Sequence, residues 1–266
     1  MVVKLYLGAV GLFNLEKIIQ EFWIENRNLI RINFPDENSI KESLLPALKY
    51  FKTNTNGIQF GSDIKMRSMI SDLFVLDSPN LTVCRSKLLC PISSIEDSGR
   101  FYRIDEKFTK AAQNIFLPNE LELHFSILPM HDYFLTLCKA NPSLAEKLKK
   151  LNHTLLSWNV ILKQVSNLMP NSKIIVWDME GGNLILDEML SNLFDVGDDD
   201  SIIWPNPLDK TQGGGIELMP PEWQERHDEE YGRDLFKLAA VNNITVMTAM
   251  ATEVPHSMGE ADGNER

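Results

Sequence analysis

The chain has 266 residues, a net charge of −11 and a pI of about 5.0. Its length suits one large α/β domain, and its 44% hydrophobic content suffices for a sizeable core. The acidic balance excludes a general nucleic-acid binder, which needs a basic face to neutralise phosphates.

Three cysteines, Cys84, Cys90 and Cys138, show neither a CxxC pair nor a zinc spacing, so they read as free thiols in a reducing compartment. Gly8, Asn14 and Glu16 interrupt the first apolar stretch too early for a signal peptide. No apolar run approaches the roughly 20 residues of a membrane span. The expectation is a cytoplasmic protein with no membrane and no nucleic-acid partner. One α/β domain over residues 1–252 and a disordered polar tail over 253–266 are expected.

Lys4–Leu7 reads as a buried strand, and Gly8-Ala-Val-Gly11 as a turn that tolerates unusual backbone angles. Asn14 is placed to cap a helix whose Leu15, Ile18, Ile19 and Phe22 share one face. Leu29–Phe34 alternates and stops at Pro35, as a second strand would. Ile40–Phe51 is helical in pattern, with Pro46 kinking it or ending its first segment. Ile64–Ser71 reads as a short helix or an irregular segment. Leu73–Leu76 reads as a third strand, halted by Asp77-Ser-Pro-Asn80.

Cys84–Tyr102 is irregular, and Ile104–Phe116 is an amphipathic helix. Leu121–Leu128 is a strand ending at Pro129. Asp132–Cys138 is a short helix, and Leu144–Lys150 has one apolar side. Ser157 caps a helix over Ser157–Leu168 with Val160, Ile161 and Val165 on one face. Lys173–Trp177 is the clearest strand, followed by the loop Asp178–Gly182 and a helix over Leu184–Phe194. Val196–Gly215 is expected to be a mobile loop. Pro221–Asn242 is a charged helix with Leu235, Leu238 and Ala239 inward, and Ile244–Met247 closes the sheet. Alternating strands and helices imply an α/β fold, a mainly parallel sheet with helices on both faces. Ligands of such sheets sit at the carboxyl ends of the strands. The turns to inspect are therefore Gly8–Asn14, Asp77–Lys87, Pro129–Asp132 and Asp178–Asn183.

Several segments resemble the bacterial sulfotransferase-like proteins of the P-loop nucleotide-binding fold. LYLGAVGLFNLEKIIQ stands where that family has its phosphate-binding loop. DLFVLDSPNLT and SGRFYRIDEKFTKAAQNIF resemble its next strand, loop, turn and helix. LELHFSILPMHDYFLTL resembles the strand and helix that carry the family's Arg-Asn-Pro element. SWNVILKQVSNLMPNSKIIVWDMEGGNLILDEML is the most specific match, and YGRDLFKLAAVNNITVM fits the closing helix and strand.

The resemblance implies transfer of a sulfuryl group from 3′-phosphoadenosine-5′-phosphosulfate to a hydroxyl of a small or carbohydrate acceptor. In such sites backbone N–H groups and a helix N-terminus hold the phosphates, and a cation offsets the charge on the leaving group. Gly8, Gly11, Asn14 and Lys17 are then the candidates at the first loop, with Arg85 and Lys87 as substitute cations and Thr136 in place of the family's serine. The sequence departs from the pattern at both anion-holding elements. The first turn reads Gly8-Ala-Val-Gly-Leu-Phe-Asn14, without its basic residue, and Leu128 stands where the family has arginine. Leu12, Phe13 and Leu128 motivate the alternative, a catalytically inactive pseudo-enzyme that keeps the fold as a binding or assembly module.

Two residues are candidate bases. Asp77 follows a predicted strand, although an Asp before Ser-Pro is equally a turn residue. His131 precedes Asp132 at another strand end, where the acid can orient it or simply cap a helix. Asp178 and Glu180 alone do not make a metal site, and none is expected. Trp204, in the acidic loop, can stack on a sugar or a partner.

Overall fold

The computed structural model describes residues 2–8, 14–53, 60–71, 73, 80–84, 104–116, 119–140, 142–146, 157–197, 201–206, 208 and 220–249. Strand β1 (Val2–Tyr6) leads to α1 (Leu15–Asn26). A helical run follows as α2 (Glu37–Ser39), a π-helical turn (Ile40–Leu44) and α3 (Leu45–Thr53). Next come α4 (Phe60–Ser71), β2 (Leu81–Cys84), α5 (Glu106–Phe116), β3 (Glu120–Ile127) and α6 (Met130–Ala140). The described chain then forms α7 (Trp158–Leu168), β4 (Lys173–Asp178), α8 (Asn183–Phe194), α9 (Pro221–Ala239) and β5 (Ile244–Met247).

The five strands form one parallel sheet in the order β2-β1-β3-β4-β5. The α/β expectation therefore holds. β1, β3 and β4 are buried on both faces, which explains why LYL, LHFSI and IIVW lack strict alternation. Side chains alternate across a strand. The β3 residues Glu122, His124 and Ser126 thus share the face on which α8 packs, where Ser126 reaches Met189. Leu121, Leu123, Phe125 and Ile127 face the opposite layer. Phe22 of α1 meets Phe194 of α8 at 5.5 Å, so these helices form one layer. On the other side α3 packs on α5, α5 on α7, and α7 on α9.

The α8 face holds several buried polar groups, Lys4, Thr82, Glu122, His124 and Ser126. Lys4 is buried, donates to the Asn192 carbonyl and pairs with Asp195 at 2.5 Å. Thr82 donates to the Leu193 carbonyl at 2.7 Å. The Trp177 indole donates to His124 Nδ1 at 3.2 Å, which leaves the His124 proton on Nε2, 3.6 Å from Glu122. Burial keeps His124 neutral by lowering its pKa. Lys173 completes the row, 3.0 Å from Glu122.

Three expectations about the elements need correction. Leu29–Phe34 is not a strand; only Asn33 bridges to Leu81, alongside β2. Leu81–Cys84 pairs with β1 on the side away from β3; Leu73 lies in a turn, and residues 74–76 of the strand expected there lie outside the described residues. Asn80 explains this placement. Its carbonyl accepts from Asn33 N at 3.1 Å and its side chain from Val2 N at 3.2 Å, so the pairing begins after it. On α7, Val160 points outward at 67% exposure while Ile161 and Val165 are buried. On α9, Ala239 is exposed, and the inward stripe is His227, Tyr231, Asp234 and Leu238.

Other expectations met a structural answer. Pro46 neither breaks nor ends the helix, because the π turn before it widens the ladder where the ring would clash. Ser157 caps α7 by accepting from Val160 N at 3.4 Å. Asn14 does stand at the α1 cap, but in the left-handed region (φ 54°) and without a side-chain cap bond. Cys84 and Cys138 are buried. No helix among the described residues is long and apolar enough to cross a membrane. Residues 250–266, and with them the predicted tail, lie outside the described set.

Candidate functional site

Strand order directs attention to one place. From β1 the chain runs to the β2 side of the sheet, then crosses to β3 on the other side of β1. Doubly wound sheets bind ligands in the crevice at such a reversal, which here falls at the carboxyl ends of β1 and β3. Gly8 and Asn14 flank it from β1, and Leu128–Asp132 from β3.

On the β1 side, Leu7 N donates to the His124 carbonyl at 2.8 Å and continues the pairing past Tyr6. The Tyr6 hydroxyl donates to Ser126 Oγ at 3.0 Å, and Ser126 in turn meets Met189 Sδ at 3.3 Å. The same hydroxyl lies 2.2 Å from where a Cβ on Gly8 would stand. Gly8 is thus glycine for a packing reason. Lys17 projects outward at 73% exposure and pairs with Glu21 at 3.4 Å. Gly11, Asp77, Arg85 and Lys87 lie outside the described residues.

On the β3 side, Leu128 is buried and its carbonyl accepts from the Trp158 indole at 2.7 Å. Pro129 O accepts from Tyr133 N at 3.0 Å, starting α6. His131 follows in the first turn, with Nδ1 3.4 Å from Asp132 and no hydrogen-bond partner. Thr136 turns its hydroxyl to the Asp132 carbonyl at 2.9 Å. Its hydroxyl proton is thereby used within the helix.

Helix α9 brings the groups that the sequence reading passed over. Tyr231 donates to Asp178 at 2.6 Å; burial and then the Asp178 carboxylate push its phenol well above the usual value, keeping it a donor. Asp178 also caps the short turn after β4 by accepting from Glu180 N at 3.1 Å. Asp234 accepts from Ser157 Oγ at 2.6 Å and from the amides of Trp158 and Asn159, so it seats α9 on the N-terminus of α7. Burial raises its carboxyl against those bonds.

His227 is different. It is 1% exposed, lies edge-on to Phe134, and neither ring nitrogen has a hydrogen-bond partner. Burial, then His131 and Arg226, lower its pKa, so the ring is neutral. The field of His131 reaches both His227 and Asp228, and that of Asp132 reaches Asp228. Helix α9 packs on α6, which brings His227 and Asp228 toward His131. The signal was readable as 227, 231, 234 and 238, a helical stripe, but its polar members read as surface.

Among the described residues no group of three or more His, Cys, Asp or Glu gathers to hold a metal ion. The described part of the crevice also does not fit an anionic donor. Lys17 points away, the Thr136 hydroxyl is engaged, and Leu128 is buried hydrocarbon. Trp204 is 37% exposed and rests on Phe22, with ring centroids 5.5 Å apart. No family model, curated protein or solved structure matches the chain.

Proposed function

We propose that this chain is a sulfotransferase-like α/β protein that serves as a binding or assembly module and does not carry out sulfuryl transfer. Buried Leu128 carries the reading. It occupies the position that the resemblance gives to a phosphate-binding arginine, and its carbonyl is committed to Trp158. A phosphate placed there would lose water without gaining a charge partner, a cost of several kcal/mol. The test is release of 3′-phosphoadenosine-5′-phosphate from 3′-phosphoadenosine-5′-phosphosulfate over a panel of hydroxyl and carbohydrate acceptors. The expected rate equals that without protein. Acceptor-dependent release that saturates would overturn the reading.

One observation favours the second reading, transfer to a small or carbohydrate hydroxyl. His227 is a buried, neutral imidazole without a hydrogen-bond partner, edge-on to Phe134 of α6, and a ring in that state can take a proton from a hydroxyl brought to it. Under that reading, release of 3′-phosphoadenosine-5′-phosphate is measurable and falls at least tenfold in His227→Gln. A rate insensitive to that substitution rules out His227 as the base.

A further inference from the structure

The outer side of α1 carries a cleft that shares none of its lining residues with the crevice at β1 and β3. Its volume is about 150 Å³, and Trp23, Ile24, Phe34, Pro35, Asp36 and Glu37 line it. The Trp23 and Phe34 rings lie 5.3 Å apart at 30°, forming an apolar wall. Phe34 leans on Phe194, 5.5 Å away, which anchors that wall to the core. Ile24 stands 55% exposed beside it.

The lining carries two carboxylates and no cation. Asp36 is fixed in place because it caps α2, accepting from Ser39 N at 2.7 Å. Glu37 meets Lys41 at 3.0 Å, an exposed i,i+4 pair of the kind that exchanges partners at little cost. A wholly apolar guest would strip water from both acids without return. A long cationic side chain satisfies both halves, with its stem and charge on the aromatic wall and its head at the carboxylates. Apolar surface continues nearby. The Asn26 side chain holds the backbone of Ile203 at both N and O, at 2.8 and 2.9 Å, and Ile203 is 54% exposed. A rim of this kind, with an aromatic pocket at its centre, is how protein partners are gripped.

We propose that this surface docks a partner-protein segment presenting an arginine or lysine between apolar residues, the cationic side chain entering the cleft. The proposal stands whether or not the crevice transfers a group. Calorimetric titration of the full chain with an amidated hexapeptide of alternating leucine and arginine tests it, with the leucine–glutamate counterpart as control. Ile24→Ser removes exposed apolar surface, and Asp36→Asn removes charge while keeping a capping side chain. The expected result is one-to-one binding of the arginine peptide alone, weakened roughly fivefold by each substitution, with unchanged unfolding temperatures. Failure of the arginine peptide to bind, equal binding of the glutamate peptide, or affinity indifferent to both substitutions would overturn it. So would self-association lost in Ile24→Ser, because the occupant would then be a second copy.

Discussion

The Tyr6 hydroxyl fills the space that any side chain at Gly8 would need, 2.2 Å from the Cβ position, while donating to Ser126 at 3.0 Å. Gly8 follows the end of β1 two residues after Tyr6, and the Tyr6 ring folds back over it, so the tyrosine requires the glycine. A turn that reads as a phosphate loop thus owes its first glycine to its own neighbour. Gly8→Ala should cost about 1–3 kcal/mol by overpacking. Pairing it with Tyr6→Val should recover part of that loss despite removing a buried ring. Urea midpoints of the two variants decide this, and an additive loss would show that the clash is relieved some other way.

Glu122 governs the acid limit of the sheet. The His124 imidazole and the Lys173 ammonium hold its carboxyl down to about 2 from 4.5, against burial. Lys173 at 3.0 Å is the firmer partner, because the His124 contact is 3.6 Å long. A lowered carboxyl stabilises the fold above its unfolded value, and the gain is lost as pH falls from 4.5 to about 2. Glu122→Gln should therefore be less stable than wild type by roughly 1.5–3 kcal/mol at neutral pH. The two should converge near pH 2, and a gap constant with pH would exclude ionisation as its source.

His227 gives the opposite test, a group whose removal should help. Its folded pKa lies below 6.5, so its stabilising share is present above that value and lost as pH falls below it. His227→Leu removes two buried polar atoms without partners, and the variant should match or exceed wild-type stability at neutral pH. It should also lose less stability between neutrality and about pH 5.5. Thermal unfolding at both pH values checks this. A loss above about 1 kcal/mol at neutral pH would mean that the nitrogens are satisfied in solution.

Ser157 and Asp234 form a joint cap that pins α9 to α7. Ser157→Ala should cost about 1 kcal/mol. Asp234→Ala should cost more, about 2–3 kcal/mol, because the amides of Trp158 and Asn159 lose their acceptor. The double variant should lose less than the sum, since one substitution already breaks the shared bond. Denaturant titration of all three gives the coupling; strict additivity would contradict a joint cap.

The central sheet was legible because its strands are apolar on both faces. IIVW and LHFSI cannot sit elsewhere, and the helices between them carry 3.6-residue stripes. Leu81–Cys84 was hidden by its length and by the more apolar run just before it, while Asn80, whose bonds set its start, reads as a turn. Leu29–Phe34 alternates as a strand but makes only one bridge, since alternation records burial of one side and not pairing. At the site, His131 was visible from its place after β3. His227, Tyr231 and Asp234 were not, because a stripe of His, Tyr and Asp on a charged helix carries no hydropathy signal. Tyr231 and Asp234 are held by Asp178 and Ser157, and His227 lies against Phe134, all from other elements.

We propose that the carboxyl ends of β1 and β3 lie where a sulfotransferase-like protein would hold its nucleotide, and that they lack the charge to hold one. Calorimetric titration with 3′-phosphoadenosine-5′-phosphate tests it most directly, on wild type and on Leu128→Arg. The account predicts no saturable heat from wild type at millimolar nucleotide, and measurable binding once the arginine is restored. Saturable binding by wild type, unchanged in Leu128→Arg, would contradict it.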